Sequence, residues 1–212
     1  MSVLTTKNEY RRRLRRARLS LPPAQRRHAE QSANRLLKRF IKRGQRIGVY
    51  WPVGSEMCLQ EFVRTVRQRG ACAYLPYIPP QGKRLWFTPY PTRNGGKRQA
   101  QTVHRIPQFD GARIRAERLH LLILPLLGID RNGCRLGQGG GYYDATLAAA
   151  KRSRLPKLVG VGFACQETAE ALPAEAHDQR LNYFVCEHGI RRFQAACTLS
   201  PPLGASQRDT NN

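Results

Sequence analysis

The sequence predicts a single three-layer α/β/α domain built on a mostly parallel, Rossmann-like sheet. Three observations lead there. Short apolar runs alternate with stretches whose apolar residues recur at helical spacing. Residues 47–75 make a complete β-α-β unit, which implies parallel strands joined by a right-handed crossover. A buried apolar run, Leu121 to Leu124, leads through a glycine-rich loop into a helix start at Tyr142.

In chain order, Thr5 or Thr6 can cap a first helix running to about Leu19, with Tyr10, Leu14 and Ala17 on one face. Pro22 and Pro23 separate it from a second helix, where Ala29, Ala33, Leu36, Leu37 and Phe40 repeat at helical spacing and Gly44 follows as a stop. Both helices carry arginine-rich outer faces, and both are expected to pack onto the domain. Ile47 to Trp51 reads as a strand ended by Pro52, and Leu59, Phe62, Val63 and Val66 mark an amphipathic helix closed by Gly70. Ala71 to Leu75 is the next strand, ended by Pro76.

Residues 76–118 give weaker signals: a strand at Arg84 to Thr88, and an extended stretch at most from Ile106 to Phe109. Leu119 to Leu124 is a buried strand, Asp130 to Gly133 a polar turn, and Tyr142 to Lys151 a helix. Lys157 to Phe163 reads as a strand, Gln166 to Leu172 as a short helix, and Tyr183 to Cys186 as the last strand. About five or six strands alternating with helices give the three-layer class. One domain is expected over residues 1–197, followed by a Pro-, Gly-, Ser- and Asn-rich tail, 198–212, expected to be disordered.

Composition narrows the function classes. A chain of 212 residues that is 41% hydrophobic can bury one substantial core. No apolar run approaches the roughly 18 residues of a membrane helix, and the start lacks the apolar region of a secretory signal, so a cytoplasmic location is expected. The six cysteines, at 58, 72, 134, 165, 186 and 197, form no C-x-x-C pair and read as free thiols used as small core residues. The net charge is +23, and residues 1–46 hold fifteen Lys or Arg against two acids, Glu9 and Glu30. Such a face fits nucleic acid, polyphosphate substrates or a solvated helix surface. No zinc-finger, RRM or KH pattern supports nucleic-acid binding as the main function.

The chemistry centres on residues 121–150. The run R-L-G-Q-G-G-G-Y-Y-D, from Arg135 to Asp144, joins a buried strand to a helix N-terminus. Glycines admit backbone N–H groups to an anion, and the helix end adds partial positive charge. A Rossmann fingerprint starting at Gly137 would need glycine where Tyr142 stands, and a Walker loop would need Lys and Ser or Thr after the glycines. Anion binding and a tight structural turn both remain open. Ligands of such sheets bind beyond the carboxyl ends of the strands. The loops Pro52 to Glu56, Pro125 to Gly141 and Ala164 to Gln166 can therefore converge on one cleft.

Individual side chains keep two readings each. Glu56 can bind a polar substrate group or cap the following helix. Trp51 can stack on a heterocycle or close a core strand. Arg135 can fork onto phosphate oxygens or lie on the surface. Asp144 can favour the helix dipole or hold Mg²⁺ together with substrate phosphates, and Asp178 is a loop carboxylate of the same kind. Lys7 and Arg11, four apart, share one helix face.

The central run, preceded by L-P-L-L-G-I-D-R-N-G, closely resembles the signature of the 5-formyltetrahydrofolate cyclo-ligase (5,10-methenyltetrahydrofolate synthetase) family. K-x-x-x-R at Lys7 and Arg11, G-S-E at Glu56, Y-L-P at Tyr74 to Pro76, V-G-V-G-F at 159–163 and A-L-P-A-E-A-H-D at 171–178 follow in the family's order. The resemblance runs from about Lys7 to Val185. It implies ATP- and Mg²⁺-dependent closure of 5-formyltetrahydrofolate to 5,10-methenyltetrahydrofolate with release of ADP and phosphate, in folate one-carbon metabolism. It implies ATP phosphorylating the formyl oxygen, then attack by the folate's second nitrogen.

Carried over by position, the resemblance assigns ATP binding to Lys7, Arg11, Arg135, Gly137, Gln138, Gly139, Gly140, Gly141, Tyr142 and Tyr143. It assigns folate binding to Trp51, Glu56, Gln138, Gly139, Gly140, Gly141 and Tyr142. Arg135 and Tyr142 would be catalytic, and Asp144 and Asp178 metal-associated. Ala145 stands where many relatives carry arginine, and Asn182 where a second acid is common. The expected partners are MgATP and 5-formyltetrahydrofolate, polyglutamylated or not, bound by a monomer without a membrane span. Both substrates are polyanions, which accounts for part of the basic charge. The alternative is a basic nucleic-acid-binding protein on the same fold.

Overall fold

The computed structural model describes residues 6–91, 98–99, 106–153, 155–173, 175 and 179–194. Cys197, the tail expected from 198, and Asp178 lie outside the described residues.

The domain has helices α1 (Lys7–Leu19), α2 (Pro23–Leu37), α3 (Gln60–Gln68) and α4 (Tyr142–Ala150). Its first strands are β1 (Arg46–Gly48), β2 (Cys72–Tyr77), β3 (Trp86–Pro89), β4 (Arg98–Gln99), β5 (Gln108–Phe109) and β6 (Leu121–Pro125). Then come β7 (Gly128–Asp130), β8 (Arg135–Leu136), β9 (Lys157–Val161), β10 (Glu167–Thr168), β11 (Tyr183–Cys186) and β12 (Gly189–Arg192). The main sheet has seven strands in the order β12-β11-β9-β6-β1-β2-β3. Its five inner strands run parallel, and β3 and β12 close the edges antiparallel.

The three expected layers follow from the pleat of β6. Leu121 and Ile123 pack with Ala33, Leu37, Phe62 and Val66 of α2 and α3. Leu122 and Leu124 point the other way, toward Leu147 of α4 and Phe184. Burying a side chain such as Phe62 or Leu122, each 0% exposed, contributes about 1.5–3 kcal/mol. The N-terminus of α3 is held from outside: Asn34 Oδ1 of α2 accepts from the Phe62 N–H at 2.8 Å, and Asn34 Nδ2 donates to Cys58 O at 2.8 Å.

Helix α1 starts with a capping box: Thr6 Oγ1 accepts from the Glu9 N–H, and the Glu9 carboxylate accepts from the Thr6 N–H. Its buried face is Tyr10, Leu14 and Arg18, with Ala17 only half-buried. Tyr10 and Leu14 form a separate small core with Leu136 and Leu172. This places α1 on the β7–β8 hairpin, beyond the carboxyl ends of the parallel strands, so that its face overlooks the loops there.

Several expectations need correction. The helix expected from Gln166 to Leu172 is a 3₁₀ turn, Ala164–Gln166, followed by β10. Glu167 and Thr168 pair with Ile129 and Asp130 of β7 instead of coiling. Pro76 lies inside β2, past Tyr74, the last residue paired with β1, where a missing N–H costs that ladder nothing. The polar turn expected at 130–133 is present, closed by the Gly133 N–H donating to Asp130 O at 3.2 Å, and it connects the β7–β8 hairpin; β12 was not expected. Of the five described cysteines only Cys186 is buried; Cys72 is exposed at the start of β2, and the others are half-buried.

Candidate active site

Beyond the carboxyl ends of β1, β2 and β6 lies a cleft of about 540 Å³. Trp51 and Glu56 line one side, and Arg135, Gly137–Gly141, Tyr142, Tyr143 and Asp144 the other. Two of the three loops expected to converge do so. The third, Ala164–Gln166, supports the cleft from behind: Gln166 Nε2 donates to Leu126 O at 2.7 Å and Leu127 O at 3.0 Å.

The glycine loop connects β8 to α4. Gly139 (φ 100°) and Gly141 (φ 71°) occupy the left-handed region, which a side chain would strain. Gly141 is the N-cap of α4 and supplies no side chain, so the first-turn N–H groups of α4, whose residues Tyr142, Tyr143 and Asp144 line the cleft, have no side-chain cap. Arg11 backs the loop from α1: its Nε donates to Gly137 O at 3.1 Å, and its guanidinium carbon would sit 3.5 Å from a Cβ at Gly139. Arg15 Nη2 donates to Gln138 Oε1 at 2.8 Å. Three backbone and cationic features thus converge on one loop, which favours an anion site over a merely tight turn.

Glu56 does not cap α3, whose N-cap is Leu59. Its Oε2 accepts from the Val53 N–H at 3.0 Å, closing its own turn, and its Oε1 accepts from Gln138 Nε2 at 3.1 Å. Burial pushes the Glu56 carboxyl above the ordinary carboxylate range, while the Val53 N–H, the Gln138 amide and Arg18 pull it back. Trp51 is half-buried and lies against Tyr90, with ring centres 6.1 Å apart and 27° between planes, and against Phe109 at 5.9 Å. It is packed on one side and still lines the cleft.

Arg135 and Asp144 lie closer to each other than expected for two independent ligands. Arg135 Nη2 donates to Asp144 Oδ1 at 2.5 Å, and the Arg135 side chain is only 6% exposed. The Asp144 side chain keeps 32% exposure and lines the cleft. Burial raises the Tyr143 phenol, which keeps it a neutral hydroxyl.

Lys7 lies outside the cleft lining and pairs with Glu175 at 2.6 Å. Arg11 also lies outside the lining, directly behind the loop. The other metal-associated candidate, Asp178, falls outside the described residues, and no cluster of three or more His, Cys, Asp or Glu occurs among those described.

Arg18 is a cleft residue that the sequence reading passed over. It is 3% exposed, its Nε donates to Ser55 Oγ at 2.9 Å, and its Nη1 donates to Leu126 O at 3.4 Å. No carboxylate of a described residue pairs with it. Burial lowers its affinity for the proton, and nearby Glu56 partly restores it. A signal was present: Arg18 continues the four-residue spacing of Tyr10 and Leu14.

The sequence model of the 5-formyltetrahydrofolate cyclo-ligase family matches residues 3–187. The chain is 29% identical over 177 residues to the 5-formyltetrahydrofolate cyclo-ligase of Haemophilus influenzae, covering 81% of this chain and 92% of that one. It is 29% identical over 166 residues to the enzyme of that name from Escherichia coli K12, covering 77% and 90%. Among solved structures it resembles the 5,10-methenyltetrahydrofolate synthetase of Aquifex aeolicus, with a TM-score of 0.72, 23% identity and coverage of 93% and 98%. It also resembles that of Mycoplasma pneumoniae, with a TM-score of 0.69, 20% identity and coverage of 86% and 99%. These two likenesses establish the α/β fold. Among the described residues no helix is long and apolar enough to cross a membrane.

Proposed function

The chain belongs to the 5-formyltetrahydrofolate cyclo-ligase family, and from that premise we propose how its cleft closes 5-formyltetrahydrofolate to 5,10-methenyltetrahydrofolate with ATP. The observation that carries the reading is the Gln138–Glu56 hydrogen bond of 3.1 Å, which joins the glycine loop to an acid on the opposite wall. Two ligands bound on the two walls would meet at that point.

Glu56 receives the N–H groups of the pterin, for which an ionised carboxylate is the complementary acceptor. Trp51 lies beside the ring system, held by Tyr90 and Phe109. The loop from Gly137 to Gly141 and the first turn of α4 present N–H groups to the phosphates, with Arg11 behind the loop and Arg135 beneath it. The formyl oxygen displaces ADP at the terminal phosphorus. The folate's second nitrogen then attacks the activated carbon, the five-membered ring closes and phosphate leaves.

The residues contribute position and charge to this sequence of steps. Arg135, held by Asp144, faces the negative charge that develops on the transferred phosphoryl group. Tyr142 and Tyr143 begin α4 at the junction and exclude water there. Asp144 fits a divalent ion arriving with the nucleotide, because one carboxylate with phosphates and water is an ordinary magnesium shell. Such an ion supplies charge neutralisation on the phosphates. Lys7 is assigned a supporting place at the outer end of α1.

The test is an absorbance assay for the methenyl product. Product should form with ATP and 5-formyltetrahydrofolate together and with neither alone; no product under any metal or nucleotide condition would refute the reading.

A further inference from the structure

The basic charge of this chain is concentrated away from the cleft as well as near it. The opposite edge of the sheet, where the parallel strands begin, carries a continuous row of cations. Arg69 precedes β2, Lys42 and Arg43 precede β1, Arg118 precedes β6, Lys157 opens β9, and Arg192 ends β12 beside the start of β11. All six are exposed.

Their neighbourhood is fixed by contacts between successive segments. The Gly44 N–H donates to Gly70 O at 2.8 Å, Arg46 Nε to Arg118 O at 2.5 Å, and the Lys157 N–H to His120 O at 3.1 Å. Arg192 pairs in register with Tyr183, whose ring centre lies 5.6 Å from Lys157 Nζ. Six adjacent strands at about 4.8 Å each make the row roughly 24 Å long.

None of the six forms an ion pair with a described acid. Glu117, next to Arg118, is taken by Arg84 at 2.5 Å. Like charges spaced within a Debye length of about 8–10 Å repel, and no acid of a described residue pairs with them to offset this. A linear polyanion laid along the row would.

We propose that this edge binds single-stranded nucleic acid, RNA being the natural candidate, independently of the cleft. Two observations favour it over a membrane surface. Tyr183, half-buried against Phe40 with ring centres 5.1 Å apart, stands within the row between Lys157 and Arg192, and an aromatic interleaved with cations is the arrangement that single-strand binders use. The exposed large apolar side chains among the described residues are Leu19 and Val53, and both line the cleft at the other end, so the row has no apolar face to insert into lipid.

The experiment measures fluorescence anisotropy of a labelled 20-nucleotide oligouridylate with full-length protein over a salt series. One triple variant, Lys42→Glu, Arg118→Glu and Arg192→Glu, breaks the row. A second, Arg27→Glu, Arg64→Glu and Arg131→Glu, makes the same change in net charge at exposed sites elsewhere. Circular dichroism and ring-closing turnover confirm that both triples are folded, and turnover should be unchanged in both. The row variant should bind at least tenfold more weakly at about 0.1 M salt. Its slope of log Kobs against log salt should shrink by about 2, from three lost contacts at about 0.7 each. The second triple should keep most of the wild-type affinity and slope. Equal losses in the two triples, absence of oligonucleotide binding by the wild type, or tighter row-dependent binding to phosphatidylserine vesicles would each overturn the proposal.

Discussion

Arg135 Nη2 and Asp144 Oδ1 lie 2.5 Å apart, so the buried cation of the glycine loop is held by an acid from the first turn of α4. This pair fixes the guanidinium under Gly137, where an added Cβ would lie 3.2 Å from Arg135 Nη1. Asp144→Asn removes a charge-assisted hydrogen bond, which is worth about 1.5–3 kcal/mol. Its melting temperature should fall, and calorimetric titration should show weaker enhancement of nucleotide binding by Mg²⁺. Unchanged Mg²⁺ enhancement with a lowered melting temperature would make Asp144 only the holder of Arg135.

The Glu56 carboxyl has its proton affinity raised by burial. As pH falls through that raised value the group is neutralised and loses one acceptor, so folate affinity should drop at a pH above that of an ordinary carboxyl. Stability moves the opposite way, since protonation relieves the desolvated charge. Glu56→Gln should abolish that limb of the pH profile for folate kcat/KM, weaken folate use tenfold to a hundredfold, and leave the KM for ATP within about threefold. A wild-type limb that persists in Glu56→Gln belongs to another group.

Arg18 is a buried cation with which no carboxylate of a described residue pairs, and replacing such a charge by an apolar group is often neutral or stabilising. Arg18 lines the cleft beside Glu56, on the wall assigned to folate, through its bond to Ser55 Oγ, so Arg18→Met is expected to melt at or above the wild-type temperature while its KM for folate rises about tenfold or more. A clear fall in melting temperature with normal folate kinetics would assign Arg18 to packing alone.

Gly140 sits between Gly139 and Gly141 without sharing their positive φ, and a Cβ there would lie 3.1 Å from Tyr142 Cδ2. Gly140→Val should thus fold while its branched side chain obstructs the approach of phosphate to the loop. Turnover should drop by at least a hundredfold with an unchanged circular dichroism spectrum. Near-normal turnover would show that the reacting phosphate does not approach this part of the loop.

Much of the framework was legible because its signals are local. The Thr6 cap with Glu9 marks the start of α1, the glycines mark the start of α4, and Tyr183–Cys186 is a compact apolar run. The β7–β8 hairpin was not legible: strands of three and two residues are too short to show a period. Strand β12 contributes one apolar residue, Ile190, and lies at the sheet edge, so it lacks the pattern of a buried strand. The glycine loop and Glu56 were legible as site residues from their place after strands. Their contact through Gln138 was not, because it joins segments 82 residues apart. Lys7 and Arg11 read alike in sequence, yet Arg11 reaches the loop while Lys7 meets Glu175. Arg18 was hidden among the other arginines of α1, and of these it is the one that continues the four-residue spacing of the buried Tyr10 and Leu14.

The central claim is that one cleft couples nucleotide cleavage to ring closure. The most direct measurement follows ADP and the methenyl product in the same reaction as 5-formyltetrahydrofolate is consumed. The account predicts one ADP for each ring closed, with negligible ADP formed when folate is omitted. Ring closure without ADP, or ADP release at an equal rate without folate, would contradict it.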